Sequence, residues 1–118
     1  MNINFLVKKN KINLDGYGDN KFIVSGKIYK NPILVLPNEI KIKKNLKLSN
    51  IKKKYLEQII KRHKLEFIIL GFDSKIKKIL QYKKSCIEVM DTGPACRTIN
   101  ILLSEGRLVG ALIFPIQN

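Results

Sequence analysis

Cysteine, histidine and long apolar runs are scarce in this sequence, and each scarcity excludes a class of protein. Its two cysteines, Cys86 and Cys96, are too few for a disulfide framework or a four-ligand zinc site. Because His63 is the only histidine, a metal site would need carboxylates, and we do not expect one. The longest apolar candidate, residues 108–114, has the length of a strand rather than the roughly 18–20 residues of a membrane span.

Signals for export or import are also missing from the first residues of the sequence. No basic segment is followed by a long apolar stretch, as a secretory signal requires, and the Arg-rich and Ser-rich character of a mitochondrial presequence is absent. We therefore expect a reduced, cytoplasmic protein without a targeting segment. A peripheral position at the inner membrane is a second expectation.

Acidic residues are few, and the basic residues are unevenly placed. The formal net charge is +14, and residues 41–84 hold 15 of the 23 basic groups. Twenty of these 23 are lysine, whereas base readout and bidentate phosphate contacts favour arginine. Lysine, isoleucine and asparagine fill 50 of 118 positions, as codon bias in an AT-rich genome would produce. We interpret the lysines as a solvated face, with anionic-membrane contact open and nucleic-acid binding through Lys-rich helices as the least favoured hypothesis.

The first part of the chain, residues 1–40, is predicted to form strands and a hairpin. Ser25-Gly26 is a tight-turn pair between the short apolar segments 22–24 and 27–29. Residues 33–37 form a short buried strand, and residues 15–20 resemble turn material.

The second part, residues 41–118, alternates helix and strand in the order α-β-α-β-α-β. The predicted segments are a helix from Ser49 to about Lys64, a strand at 67–70, a helix capped by Asp73 or Ser74, a strand at 86–90, a helix at 95–105 capped by Gly106, and a strand at 107–115. Such alternation implies right-handed crossovers and parallel strands between helices. The expected fold is one α/β domain over residues 1–118. It has three α/β/α layers, a mixed, largely parallel central sheet and an N-terminal β-hairpin.

The segment EVMDTGPACRT, residues 88–98, contains the Asp-Thr-Gly triplet of aspartic proteases. Those enzymes are almost entirely β, and their triplet lies in a loop between strands. Here Pro94 and a helical pattern follow, and proline suits the first turn of a helix. We therefore reject proteolysis and predict a strand-to-helix corner with no catalytic residue.

A corner of this kind offers a candidate site for a small anion or other small ligand, or for an enzyme. Asp91 ends a parallel strand, Thr92 or Gly93 is the predicted helix N-cap, and Arg97 lies in the first turn. Alternatively, Asp91 or Thr92 satisfies the free N–H groups and Arg97 pairs with a nearby carboxylate. Both interpretations stay open at this point.

Three further residues of this region are candidates with competing interpretations. Cys96 near a helix N-terminus could be a nucleophile, although the arginine six positions later that cysteine phosphatases need is Leu102 here, and a buried thiol is favoured. Glu105 and Arg107 flank Gly106 where the last helix meets the last strand. One interpretation is a structural ion pair that caps the helix. The other is a polar rim that contacts a ligand or a protein partner.

Residues 89–113, VMDTGPACRTINILLSEGRLVGALI, resemble the closing signature of a small single-domain family that includes the mitochondrial respiratory complex I assembly factor 3. The segments GYG (16–18), FIVSGKIY (22–29), LVLP (34–37) and IILG (68–71) are similar too. Pro94 and Ile99 replace the usual alanine and aromatic residue. Residues 71–73 read GFD instead of Gly-Thr-Gly, and the usual tryptophan is missing.

The resemblance implies the three-layer fold, no established catalytic activity and no cofactor. It implies a non-enzymatic binding or assembly module that aids the biogenesis of a respiratory-chain or other membrane complex. Assembly factors or membrane-complex subunits would then be its protein partners. The altered loop at residues 71–73 weakens any small-ligand role inherited from the family.

Overall fold

The computed structural model describes residues 12–18, 20–72 and 86–116. Its strands are β1 Leu14–Gly18, β2 Lys21–Val24, β3 Lys27–Tyr29, β4 Ile33–Leu36, β5 Glu39–Ile42, β6 Phe67–Gly71, β7 Ile87–Met90 and β8 Val109–Ile113. Its helices are a short 3₁₀ turn at Leu48–Asn50, α1 at Lys53–His63 and α2 at Thr92–Ser104. The predicted helix capped by Asp73 or Ser74 lies outside the described residues.

A five-stranded mixed sheet forms the centre of the molecule in the order β5-β4-β8-β6-β7. β6 pairs with β7 and with β8 in parallel, whereas β4 pairs with β8 and β5 antiparallel. Four strands therefore point one way and only β4 points the other, which agrees with the predicted mixed, largely parallel sheet. The strand β5 was not predicted.

The first three strands form a separate antiparallel sheet in the order β1-β2-β3. The predicted hairpin is confirmed, because Val24 pairs with Lys27 across Ser25 and Gly26, whose φ angles of 50° and 86° suit a primed turn. The prediction of turn structure for residues 15–20 is wrong over 15–18, which pair with β2 as strand β1.

Both faces of the central sheet are covered, giving the three predicted layers. Side chains alternate along the strands, so Val35 and Ile69 face α2 and the three-stranded sheet, whereas Leu34 and Leu70 face α1. Leu56 and Ile59 of α1 are buried in the second core. Phe22 and Ile99 are fully buried in the first.

Helix α1 is amphipathic, as predicted, but it starts later than Ser49. Ser49 lies in the 3₁₀ turn, and Lys52 is the N-cap without a side-chain hydrogen bond. Lys52, Lys53 and Lys54 are exposed at this end, where the helix dipole disfavours positive charge. Neither helix within the described ranges has the length and apolar character that a membrane crossing requires.

Helix α2 begins three residues before the predicted Ala95 and ends as predicted. Its N-cap is Asp91, not Thr92 or Gly93, because the backbone is already helical at Thr92. At its C-terminus Gly106 has a φ of 76°, and the N–H groups of Gly106 and Arg107 donate to the carbonyls of Leu103 and Leu102. This is a Schellman motif, and it confirms Gly106 as the cap.

Candidate functional site

The corner between β7 and α2 places Asp91 and Thr92 at the carboxyl end of the parallel strands. The Thr92 hydroxyl, on a residue only 1% exposed, donates to the Phe114 carbonyl at 2.9 Å and fixes the corner to the end of β8. Asp91 makes no capping bond through its side chain. Its buried Oδ1 has no hydrogen-bond partner among the described residues. The corner therefore holds a carboxylate oxygen that can accept a hydrogen bond.

Tyr17 of β1 covers the first turn of α2. A Cβ on Gly93 would lie 2.6 Å from the Tyr17 hydroxyl oxygen and 3.0 Å from Cζ, so the ring rests directly on the glycine. Nη1 of Arg97 donates to the same hydroxyl at 3.1 Å. Among the described residues, Arg97 is therefore bound by a tyrosine distant in sequence and not by the local carboxylate of our alternative interpretation.

This arrangement bears on the small-anion hypothesis. The N–H groups of Thr92 and Gly93, for which no described residue is an acceptor, lie beside the Asp91 carboxylate, and the Tyr17 ring covers Gly93. A carboxylate repels a second anion, and an aromatic ring limits access to the backbone. The corner is thus better suited to a hydrogen-bond donor, such as an amide or a hydroxyl, than to a phosphate.

Cys96 is buried within the first core, at 2% exposure. Burial raises the pKa of its thiol to about 12, and the charge of Arg97 offsets only part of this effect. The thiolate is the nucleophilic form of cysteine, so Cys96 is unreactive at neutral pH. Within the described ranges, no three His, Cys, Asp or Glu side chains form a group that could hold a metal ion.

The opposite end of α2 carries Glu105, Gly106 and Arg107. Arg107 pairs with Glu66 at the start of β6, with Nη2 and Nε at 2.7 and 3.1 Å from Oε1. The hydrogen bond from Arg107 lowers the pKa of Glu66. The ion pair that we considered at this end therefore exists, but Glu66 rather than Glu105 is its acid.

An open groove of about 720 Å³ lies beside this ion pair. It runs between the end of α2, the β4–β5 turn and the start of β1. Its lining includes apolar Ile12, Pro37, Leu103 and Leu108, and polar Asn38. Leu108 is half exposed there, so the groove presents apolar surface to solvent.

The structure separates the predicted site residues into two groups. Asp91, Thr92, Gly93 and Arg97 lie at the N-terminus of α2, whereas Glu105 and Arg107 follow its C-terminus. A helix of 13 residues is about 20 Å long. The two groups therefore cannot contact one small ligand.

Two residues that shape this region were not among the predicted site residues. Tyr17 covers the corner, and Asn100 binds both backbone polar groups of Leu14 with its side-chain amide. Both residues lie in segments that carry the family resemblance. This resemblance was the only sequence signal that could have indicated their role. Their partners are 76 or more positions away, beyond the reach of local patterns.

Two curated relatives are similar to most of the chain. NADH dehydrogenase (ubiquinone) 1 alpha subcomplex assembly factor 3 of Xenopus tropicalis is 29% identical over 115 residues, which cover 88% of this chain and 61% of the relative. The protein of the same name from Homo sapiens is 24% identical over 111 residues, covering 86% and 60%. The chain thus spans about three fifths of the length of these relatives.

Two solved bacterial proteins have the same fold. An outer membrane protein from Bartonella henselae superposes with a TM-score of 0.67 at 23% identity, covering 92% of this chain and 98% of that one. A Mth938-like domain from Bordetella pertussis gives a TM-score of 0.66 at 19% identity, covering 98% and 92%. At these identities the likeness establishes the fold alone.

One protein family matches residues 14–114, which is nearly the whole described part of the chain. The match includes both ends of α2, Tyr17 and the central sheet. The chain belongs to this family, which is described as protein of unknown function (DUF498/DUF598).

Proposed function

We propose that this chain is a non-enzymatic protein-binding module that assists the assembly of a respiratory-chain complex or another membrane protein complex. The observation that carries the proposal is its similarity, over 86–88% of its length, to proteins named as assembly factors of NADH dehydrogenase. Its partners would be subunits of such a complex or other assembly factors.

The geometry of the candidate site supports binding rather than catalysis. Cys96 is buried as an unreactive thiol, and Asp91 and Arg107 lie at opposite ends of α2. Acid–base or nucleophilic catalysis requires groups within hydrogen-bond reach of one substrate. A protein partner, in contrast, can contact both ends of a helix 20 Å long at once, because standard interfaces bury about 800 Å² on each side.

The basic surface of α1 supports a position at the cytoplasmic face of the inner membrane. Lys53, Lys54, Lys61 and Arg62 are exposed, while Leu56 and Ile59 face the sheet. Because its apolar side is already buried, α1 would contact anionic lipids by charge alone, at about 1 kcal/mol for each basic residue near the surface. Sedimentation with anionic and neutral vesicles at two salt concentrations tests this contact, and an oligonucleotide competitor separates it from nucleic-acid binding.

Pulse-labelled capture tests the assembly role. The tagged chain is expressed in its native cell, newly made proteins are labelled briefly, and the chain is captured at several chase times. We expect newly made subunits of one membrane complex to be enriched early and to leave as the complex matures. Arg97→Ala and Glu105→Ala test the two ends of α2, and Lys27→Gln, at an exposed lysine of the three-stranded sheet, is a charge control. Equal capture of new and old subunits at all times would contradict the proposal.

A further inference from the structure

The edge strand β5 is an open end of the central sheet. It pairs with β4 on one side, and no described element pairs with its other side. The two edges of the three-stranded sheet are less available. Asn100 occupies the polar groups of Leu14 on β1, and β3 has only three residues. An unpaired strand edge is a template for an added strand.

The register fixes which backbone groups of β5 face outward. The N–H of Lys43 donates to the Pro32 carbonyl at 2.8 Å, and antiparallel pairs alternate between bonded and non-bonded positions. Glu39 and Lys41 therefore bond to β4 as Lys43 does. The N–H and C=O groups of Ile40 and Ile42 point away from the sheet, and no described residue forms a backbone hydrogen bond with them.

The side chains of β5 alternate between apolar and charged residues. Ile40 packs against the first core, and Ile42, on the same face, is 46% exposed. Lys41, which pairs with Leu34, and Lys43 lie on the other face, and the neighbouring Lys44 is exposed. The edge thus presents an apolar row and a basic row, with Glu39 as its single acid.

We infer that β5 accepts an extended segment of another protein in which acidic and apolar residues alternate, adding antiparallel as a sixth strand. Acidic residues of the added strand would lie opposite Lys41 and Lys43. These are pairs without backbone hydrogen bonds between the two strands, and at such pairs the cross-strand side chains are closest. Apolar residues opposite Ile40 and Ile42 would extend the apolar row. This is strand addition, in which backbone bonds give affinity and alternate side chains give specificity. The inference rests on the proposed function and names the kind of partner segment.

A second copy of this chain fits the same edge less well. Each edge brings Lys41, Lys43 and Lys44 against one glutamate, and each chain carries a net charge of +14. Like charges across a strand pair are destabilising, and large net charges of one sign keep proteins apart. Charge complementarity therefore favours an acidic partner over self-association.

Peptide binding tests the inference directly. The probe is a fluorescein-labelled peptide with the core Glu-Val-Glu-Val-Lys, and the comparison is the scrambled core Glu-Glu-Val-Val-Lys. We expect fluorescence anisotropy to show binding of the alternating peptide that is about tenfold tighter, because only its charges and apolar side chains fall on separate faces. Methylating the backbone nitrogens of the two valines should weaken binding by about tenfold or more, since this removes strand hydrogen bonds.

Variants of the protein supply the reciprocal test. Ile42→Pro removes an outward N–H without touching the bonds to β4 and should weaken binding, whereas Ile42→Val should not. The double variant Lys41→Glu/Lys43→Glu should no longer bind the acidic peptide but should bind a peptide with the core Lys-Val-Lys-Val. Equal binding of alternating, scrambled and methylated peptides would overturn the inference in favour of simple charge attraction. A dimer in light scattering that Ile42→Pro dissociates, with no peptide binding, would assign the edge to a second copy.

The two proposals can fail separately. If subunit capture persists in Ile42→Pro and the peptide does not bind, the assembly role stands and the strand-addition surface is wrong. If the peptide binds as expected but no newly made subunit is captured, the edge is a recognition surface and the assembly role is wrong.

Discussion

The side-chain amide of Asn100 pairs with both backbone polar groups of Leu14. Its Nδ2 donates to the Leu14 carbonyl at 3.0 Å, and its Oδ1 accepts from the Leu14 N–H at 2.8 Å. The amide thereby takes the place of a neighbouring strand at the edge of β1. Through this pair, α2 fixes the three-stranded sheet and positions Tyr17 over the first turn of α2.

Replacing Asn100 with alanine should lower the free energy of unfolding. The substitution leaves two partly buried backbone groups of Leu14 without partners, at a cost of about 1–3 kcal/mol. Urea denaturation followed by circular dichroism measures the change. Asn38→Ala, at an exposed asparagine, is the matched control and should change stability by less than about 0.5 kcal/mol. Equal effects of the two substitutions would mean that the Asn100 amide contributes nothing specific.

A double-mutant cycle between Tyr17 and Gly93 tests the contact between the tyrosine ring and the first turn of α2. In a Tyr17→Ala background, Gly93→Ala should stabilise the protein by about 0.4–1 kcal/mol, because alanine restricts the unfolded chain. With Tyr17 present, the new methyl group would displace the ring and break the bond from Arg97. We therefore expect this gain to vanish or reverse. Additive effects of the two substitutions would contradict the contact.

The buried thiol of Cys96 predicts a loss of stability at alkaline pH. Burial raises its pKa from 9.0 to about 12, so above pH 9 the unfolded chain loses this proton while the folded chain keeps it. Stability is therefore fully present below pH 9 and falls as pH rises toward 12. Between pH 9 and 10 the loss should be about 1 kcal/mol.

Denaturation at the two pH values, compared with Cys96→Ala, isolates this effect. The variant should be less stable at pH 8 but should show a shallower decline between pH 9 and 10. Alkylation by iodoacetamide at pH 7.5, read by mass spectrometry, should modify Cys96 only after unfolding. A Cys96 thiol that reacts rapidly in the folded protein would contradict its assignment as inert.

Lys64 holds a backbone conformation that favours glycine. It ends α1 with a φ of 53° and ψ of 46°, the left-handed region. Lys64→Gly should raise stability by about 0.5–1 kcal/mol, because the Cβ that strains this conformation is removed. Lys64→Ala removes the same charge but keeps the Cβ, so it should give no such gain. Urea midpoints of the two variants measure the difference.

The elements that depend on local signals were predictable from the sequence. Ser25-Gly26 gave the hairpin, Gly106 gave the end of α2, and the apolar runs of β6 and β8 gave buried parallel strands. In each case the signal and the structure lie within a few residues of each other.

The elements that depend on distant partners were not predictable. Residues 15–18 contain two glycines and look like a turn, yet pairing with β2 and the Asn100 amide make them a strand. Arg97 and Arg107 bind Tyr17 and Glu66, which are 80 and 41 positions away. Local patterns indicated that the two arginines would form hydrogen bonds or ion pairs, but they did not indicate the partner residues.

The level of the assembled complex in cells that lack this chain is the most direct measure of the proposed assembly role. Native gel electrophoresis of membranes from a deletion strain should show less mature complex and more subassemblies, with unchanged synthesis of the subunits. Wild type and Cys96→Ala should both restore the mature complex, because binding to subunits needs the surfaces of the protein and not a reactive thiol. Mature complex at normal levels in the deletion strain would contradict the assembly role. Failure of a normally folded Cys96→Ala variant to restore the complex would contradict a role without a reactive thiol.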